Sequence, residues 1–282
     1  MSKPVVTTSA GSLAGIKTGE VESFRGIPYA APSVGELRWK APQSPKIWSG
    51  VRDASTFGAA CIQKEARKNP EKSLKSYPQS EDRLTLNVWR SASTSNAAPP
   101  LPVMIWIHGG SFRFGAVNLD LYSGADLARY GAIVVTINYR LGVFGIFSHP
   151  ALHSASDETD SNYGLLDQIA ALRWMKDKIA AFGGYPDNVT VFGESAGGVS
   201  VSYLLASPIA KGLFDKAIME SGGLAVPVHS RKGADEIGET VASELGLGAV
   251  ATARWYLAPQ QTKSPKAMLR TFPCSSAGTT RK

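Results

Sequence analysis

From residue 101 onward the apolar positions of this chain fall into regular blocks. VMIWIH (103–108) and AIVVTINYR (132–140) are continuous apolar runs rich in β-branched residues, the pattern of strands buried on both faces. Between Asn162 and Phe182, the residues Leu165, Ile169, Leu172, Met175, Ile179 and Phe182 recur at spacings of three and four, which predicts a helix with one apolar stripe. Asn162 is placed to cap its start and Gly183 to stop it. A strand at 189–193, a helix over about 196–206 and a strand at KAIME (216–220) continue the series. Such alternation predicts a mainly parallel sheet with helices on both faces.

Upstream of 101 the pattern is broken. Residues 4–24 read as short β segments, VVTT and SLAGI, punctuated by Gly11, Gly15 and Gly19. Residues 24–50, FRGIPYAAPSVGELRWKAPQSPKIWSG, are dense in Pro, Gly and aromatics and predict an irregular, ordered loop. Residues 61–80 are polar and Lys-rich, as expected of a solvated surface loop. LTLNVW (84–89) alternates like a strand, and Ser91 to Pro100 is a polar connection. No internal repeat is visible.

Composition changes this picture little. A chain of 282 residues with 43% hydrophobic and 19% charged positions suffices for one large α/β domain. The net charge of +7 suggests a nucleic-acid partner only until it is located. Residues 251–282 hold six basic residues and no acidic one, so the first 250 carry 24 basic against 23 acidic. The basicity belongs to the tail, and a nucleic-acid role is not expected. Cys61 and Cys274 lie far apart, which fits a reducing compartment rather than a disulfide framework. The N-terminus lacks a hydrophobic signal core and no run reaches the length of a membrane span, so the expectation is a cytoplasmic protein without a membrane partner.

The candidate chemistry sits in VTVFGESAGG (189–198). Four β-prone residues run into Gly193-Glu194-Ser195-Ala196-Gly197, and a helix-compatible segment follows: G-x-S-x-G between strand and helix. A serine on that turn is strained, with its hydroxyl above the sheet edge, and small neighbours leave room for it. HGGSF (108–112) directly follows another buried strand, where Gly-rich backbone can present bare N–H groups to a developing oxyanion. Ser195 is thus the candidate nucleophile. No metal constellation or nucleotide loop appears, and serine acyl chemistry requires no cofactor.

Taken together, FRGIPYAAPSVGELRW, SEDRLTLNVW, VMIWIHGGSF, INYRLGVFGI, NYGLLDQIAALRWMKDKIAAFGG, NVTVFGESAGG and FDKAIMESGG resemble the type B carboxylesterase family of the α/β-hydrolase fold. The resemblance covers roughly residues 4–248. It implies an α/β-hydrolase fold, a mostly parallel central sheet flanked by helices, over residues 1–248. It implies a carboxylic ester hydrolase working through an acyl-serine intermediate on a small-molecule ester. The amides of Gly110, Ser111 and Ala196 would form the oxyanion hole, and Glu194 would join the site's hydrogen-bond network. Arg38–Glu81 and Arg140–Asp167 look like structural ion pairs by the same resemblance. Phe112, Phe114 and Tyr122 are candidates to line the pocket.

The departures from the family pattern are informative. Where disulfide-bearing members have a cysteine after Ser-Glu-Asp, this chain has Arg83, so Cys61 lacks that partner. Residues 61–83 contain no Trp, only Tyr77, which removes the cation–π seat of choline-ester hydrolases. Asn188-Val189-Thr190 matches a glycosylation pattern but opens a core strand. In the family the triad acid and histidine lie well downstream of the serine. Residues 249–282 read instead as an atypical basic tail, and the expectation is a truncation or shifted reading frame near 249. Of the four histidines, His108 is expected to shape the pocket, His149 and His153 to be solvent-exposed loop residues, and His229 to follow the last matched strand. None occupies the family's catalytic position. Two other readings compete with an esterase: a non-catalytic, interaction-type relative and an inactive truncated product.

Overall fold

Hairpins build one half of the central sheet and crossovers build the other. The computed structural model describes residues 3–63, 77–94, 99–153, 161–223, 229–244 and 246. The basic tail, Cys274 and most of the Lys-rich stretch after Cys61 lie outside the described residues. Four strands open the chain: β1 (Val5–Thr8), β2 (Gly11–Ala14), β3 (Ile16–Thr18) and β4 (Val21–Pro28). Three short strands follow, β5 (Val51–Asp53), β6 (Ala60–Cys61) and β7 (Gln79–Ser80). Then come β8 (Thr85–Ser91), β9 (Leu101–Ile107) and β10 (Ile133–Ile137), with α1 (Ala125–Arg129) between the last two. α2 (Val143–Ile146), α3 (Tyr163–Lys178), β11 (Gly184–Glu194), α4 (Ala196–Ala206), β12 (Lys216–Glu220) and α5 (Arg231–Glu244) complete the order.

Among the described residues the main sheet has seven strands in the order β12-β11-β9-β10-β8-β4-β3. Every pairing among β12, β11, β9 and β10 is parallel, as the alternation after residue 101 predicts. The pairings β10–β8, β8–β4 and β4–β3 are antiparallel, so the sheet as a whole is mixed. β1, β2 and β5 form a separate three-stranded sheet, and β6 pairs with β7.

Two expectations from the sequence are corrected by the structure. The stretch from 24 is irregular only after Pro28, because β4 pairs with β8 from Val21↔Ser91 to Pro28↔Thr85. The register shifts between Phe24 and Ile27, where Gly26 takes φ +65° and its N–H donates to Asn87 Oδ1 at 2.9 Å. That bulge interrupts the alternation by which a strand is read. The segment 61–80 is also not simply a solvated loop. At its start Cys61, as a free thiol, and Gln63 are buried.

Alternation along the strands sorts the core into two faces. Val134 and Trp89 pack with Val21 and Ala128 of α1, whereas Ile133, Val135, Ile137 and Val88 join the larger cluster with Ile169, Leu172 and Met175 of α3. The predicted helix 162–182 is α3 followed by a tighter 3-10 turn, Ile179–Phe182, ended by Gly183 at φ +85°. Asn162 precedes α3 without a side-chain cap bond. Both ion pairs implied by the resemblance are formed. Arg38 Nη2 donates to Glu81 Oε1 at 2.7 Å. Arg140 donates to both oxygens of buried Asp167, at 2.8 and 2.7 Å. Gln168 of α3 reaches Ser200 of α4 at 3.0 Å, tying together the helices that flank β11.

Candidate active site

The strand order itself locates a crevice. β9 leads to β10 on one side and β11 leads to β12 on the other, so the connections leave these neighbouring strands in opposite directions. Ligands of open α/β sheets bind at such switch points, beyond the carboxyl ends of the strands. In this sheet those ends carry His108-Gly109-Gly110 and Glu194-Ser195.

β11 ends at Glu194 and α4 begins at Ala196, leaving one residue to reverse the chain. That residue is Ser195, at φ 54°, ψ −119°. A non-glycine residue held there marks stored strain, which persists only where its surroundings enforce it. They do so by backbone contact. A Cβ on Gly193 would lie 2.6 Å from Gly197 C, and one on Gly197 only 2.0 Å from Ile107 O. Ser195 N–H donates to Glu220 O of β12 at 2.8 Å. Gly222 and Gly198 are in similarly close contact.

The segment after β9 meets this turn. A Cβ on Gly109 would fall 2.7 Å from Glu194 O and 3.2 Å from Ser195 Cβ. Gly110 follows at φ +108°, then Ser111 and Phe112 at φ 55° and 57°, two consecutive non-glycine residues in the left-handed region. Gly142 N–H holds that turn by donating to Phe112 O at 2.6 Å.

The amides of Gly110, Ser111 and Ala196 hydrogen-bond to no group among the described residues. Their directions are nonetheless fixed, because each shares a planar peptide with the preceding carbonyl. Gly109 O lies 2.7 Å from His108 Nδ1. Gly110 O accepts from Arg113 and Phe114 N–H, at 3.0 and 2.9 Å, and Ser195 O accepts from Val199 N–H at 2.9 Å. Anchored carbonyls with bare N–H partners are the arrangement in which enzymes present preorganised donors to an anion. The Ala196 amide also opens α4, where the helix dipole favours negative charge.

His108 is fully buried beneath these donors, its ring stacked on Tyr139 at 4.5 Å. Burial pulls its pKa down to about 4, against the smaller upward pull of the Gly109 hydrogen bond. It is therefore neutral at pH 7, with the Nδ1 proton directed at the carbonyl. Tyr139 Oη donates to His108 O at 2.7 Å, and burial holds that phenol protonated well above its ordinary range. Tyr122 packs beside Trp106 and His108; burial, then the charge of Glu194, raises its phenol pKa. Glu194 is exposed, with its Oε2 beside Gly109.

Two of the remaining histidines depart from expectation. His149 is buried rather than exposed, accepting Ala151 N–H at 3.0 Å through Nδ1. His153 is largely buried, with Nε2 2.9 Å from Asp235 Oδ1 of α5 and Nδ1 accepting from Arg231. α5 packs over this loop so closely that a Cβ on Gly238 would strike Ser148 O. His229 is exposed. Among the described residues Ser195 Oγ hydrogen-bonds to no histidine and no carboxylate. Tyr139 and Gly142, which donate to His108 O and Phe112 O, were singled out by no signal of their own, because each meets the site from a distant stretch of chain.

The Carboxylesterase family model matches residues 2–276. This chain belongs to that family. Among carboxylesterases, it is 51% identical over 228 residues to a para-nitrobenzyl esterase of Bacillus subtilis (strain 168), covering 79% of this chain and 44% of that protein. It is 42% identical over 248 residues to a fumonisin B1 esterase of Sphingopyxis macrogoltabida, covering 88% and 44%. A solved PNB esterase superposes with a TM-score of 0.84 at 44% identity, over 96% of this chain and 53% of that one. A Geobacillus stearothermophilus carboxylesterase gives 0.83 at 38% identity, over 95% and 52%. This carboxylesterase chain thus spans about half the length of the relatives it matches. Among its described residues no helix is long and apolar enough to cross a membrane, and no cluster of His, Cys, Asp and Glu could hold a metal ion.

Proposed function

We propose that this chain carries the nucleophile and oxyanion hole of a serine carboxylic ester hydrolase acting on small-molecule esters. Ser195 Oγ adds to the ester carbonyl carbon, the C=O π pair moves onto oxygen, and the hydroxyl proton passes to the base that the resemblance places downstream. The amides of Gly110, Ser111 and Ala196 receive that oxyanion. Collapse breaks the C–O bond to the leaving group, which takes up that proton and departs as the alcohol; water then hydrolyses the remaining acyl-serine by the same route and releases the acid. The observation that carries this reading is the backbone of Ser195, at φ 54° on a turn walled by Gly193, Gly197 and Gly109, beside bare amides. Family membership and relatives named as esterases support it.

The resemblance puts the triad acid and histidine well downstream of Ser195, outside the segments that match. With no imidazole bonded to it among the described residues, Ser195 remains a protonated alcohol. Loss of the triad histidine costs about a million-fold in the serine-protease precedent, so turnover by this chain alone is expected to be slight. The same observation favours a second reading, an inactive member that keeps the site's geometry.

The test is covalent capture. A fluorophosphonate is incubated with the purified chain and with Ser195→Ala, and the adduct is mapped by mass spectrometry. An adduct confined to Ser195, absent from the mutant, supports the nucleophile. Equal labelling of both proteins, or none after prolonged exposure, favours the inactive reading.

A further inference from the structure

Gln63 is the buried residue whose hydrogen bonds bear most directly on the donor segment. Gly115 N–H donates to its Oε1 at 2.8 Å, and its Nε2 donates to Gly115 O at 2.9 Å and to Cys61 O at 3.0 Å. The side-chain amide thus pairs with one residue in both directions, as a neighbouring strand would. Each Nε2 proton has its own acceptor and Oε1 its own donor, so a flipped amide would set like groups against each other. Gln63's own N–H donates to Gln79 Oε1 at 2.9 Å, which anchors the clamp to β7.

What Gln63 grips is pressed against the site. Gly115 takes φ +109°, and a Cβ there would lie 2.5 Å from His108 Nδ1 and 2.8 Å from Gly109 O. Gly115, the His108 ring and the Gly109 carbonyl are therefore in mutual contact. Because Gly109 C=O and Gly110 N–H share one peptide plane, a displacement of Gly115 rotates the Gly110 donor. Packed interiors transmit such shifts rather than absorb them.

We propose that Gln63 is a positioning residue: its amide, clamped on Gly115, holds the His108 ring and the Gly109 peptide so that the Gly110 N–H keeps its direction toward Ser195. This role rests on the reading of Gly110 as an oxyanion donor.

The test is the amide NMR spectrum of the full 282-residue chain, with two variants. Gln63→Met fills the same volume without hydrogen bonds. Gln63→Glu keeps the acceptor and regains a donor only when protonated. In Gln63→Met the Gly115, Gly110 and Ser111 amides are expected to shift together, and Gly115 N–H to exchange with solvent about tenfold faster, as for a lost hydrogen bond or two. In Gln63→Glu all three resonances should approach wild-type positions as the pH is lowered, a rescue that loss of packing alone would not produce. Movement of Gly115 alone in either folded variant would overturn the proposal. So would failure of both variants to fold, which would assign Gln63 to stability. Neither measurement uses the reactivity of Ser195, so a negative fluorophosphonate result remains distinguishable from a negative result in the spectra.

Discussion

Gly197 is the tightest point of the Ser195 turn. A methyl group there would fall 2.0 Å from the carbonyl oxygen of Ile107 and 3.2 Å from the backbone of His108, neither of which can yield without moving β9. In an ordinary helix the change from glycine to alanine would gain up to about 1 kcal/mol of propensity. At this position overpacking outweighs it. Gly197→Ala is expected to lose about 3 kcal/mol in urea unfolding and to abolish fluorophosphonate labelling even where the chain remains folded. Asp167 makes the opposite kind of test. Burial alone would pull the Arg140 guanidinium down, but Asp167 beside it outweighs that and holds it above its ordinary value. Asp167→Asn leaves that cation buried without its counter-charge, so a loss of about 3–5 kcal/mol is expected by the same melt. The roles of these two residues were not equally legible. Gly197 announced itself within five residues of sequence, because the turn is local. Arg140–Asp167 was suggested only by resemblance, since nothing in the spacing of two charges 27 positions apart says that they meet.

Elements were legible where their periodicity was intact. α4 spans 196–206 and β12 spans 216–220, as the pattern predicts, because each is a continuous block between clear breakers. β4 was lost to its bulge at Gly26, and β11 starts at Gly184, earlier than the apolar run, through a single pairing with Leu101. Gln63 and the burial of His149 were illegible for another reason: both depend on segments far away in sequence, β7 and Gly115 for one and α5 for the other. β12 itself carries an element-scale prediction. Among the described residues it is the outer strand of the sheet, and Ile218 and Met219 are 42% and 41% exposed. An edge strand with exposed apolar side chains is a template for pairing with other chains. Ile218→Lys places a charge on that edge and touches no group of the Ser195 turn. Light scattering of the variant on concentration should fall below that of the parent, with circular dichroism unchanged; equal scattering would show that association uses another surface.

At the scale of the whole molecule, the site is a stack of buried polar groups beneath backbone N–H groups that no described residue pairs, and this couples stability to pH through His108. In the unfolded chain an imidazole titrates near 6.5. In the fold, burial lowers the value to about 4. A group depressed in this way contributes nothing adverse above the unfolded value. As the pH falls through the interval between the two, the unfolded state takes up a proton that the folded state refuses, and stability is lost. A difference of this size corresponds to about 3 kcal/mol, fully lost once the pH lies below the folded value. Comparison with His108→Gln isolates the contribution of this ring, because the remaining groups are common to both proteins. The wild type is expected to lose stability more steeply than the variant from about pH 6.5 down to pH 4, and the two curves should run parallel above pH 7, in urea melts at matched ionic strength. Parallel curves across the whole range would mean that the imidazole is charged or hydrated beneath the Gly109–Ser111 segment. The Gly109 carbonyl would then accept from a cation rather than a neutral ring, and the picture of a dry, preorganised support for Gly110 would have to be given up.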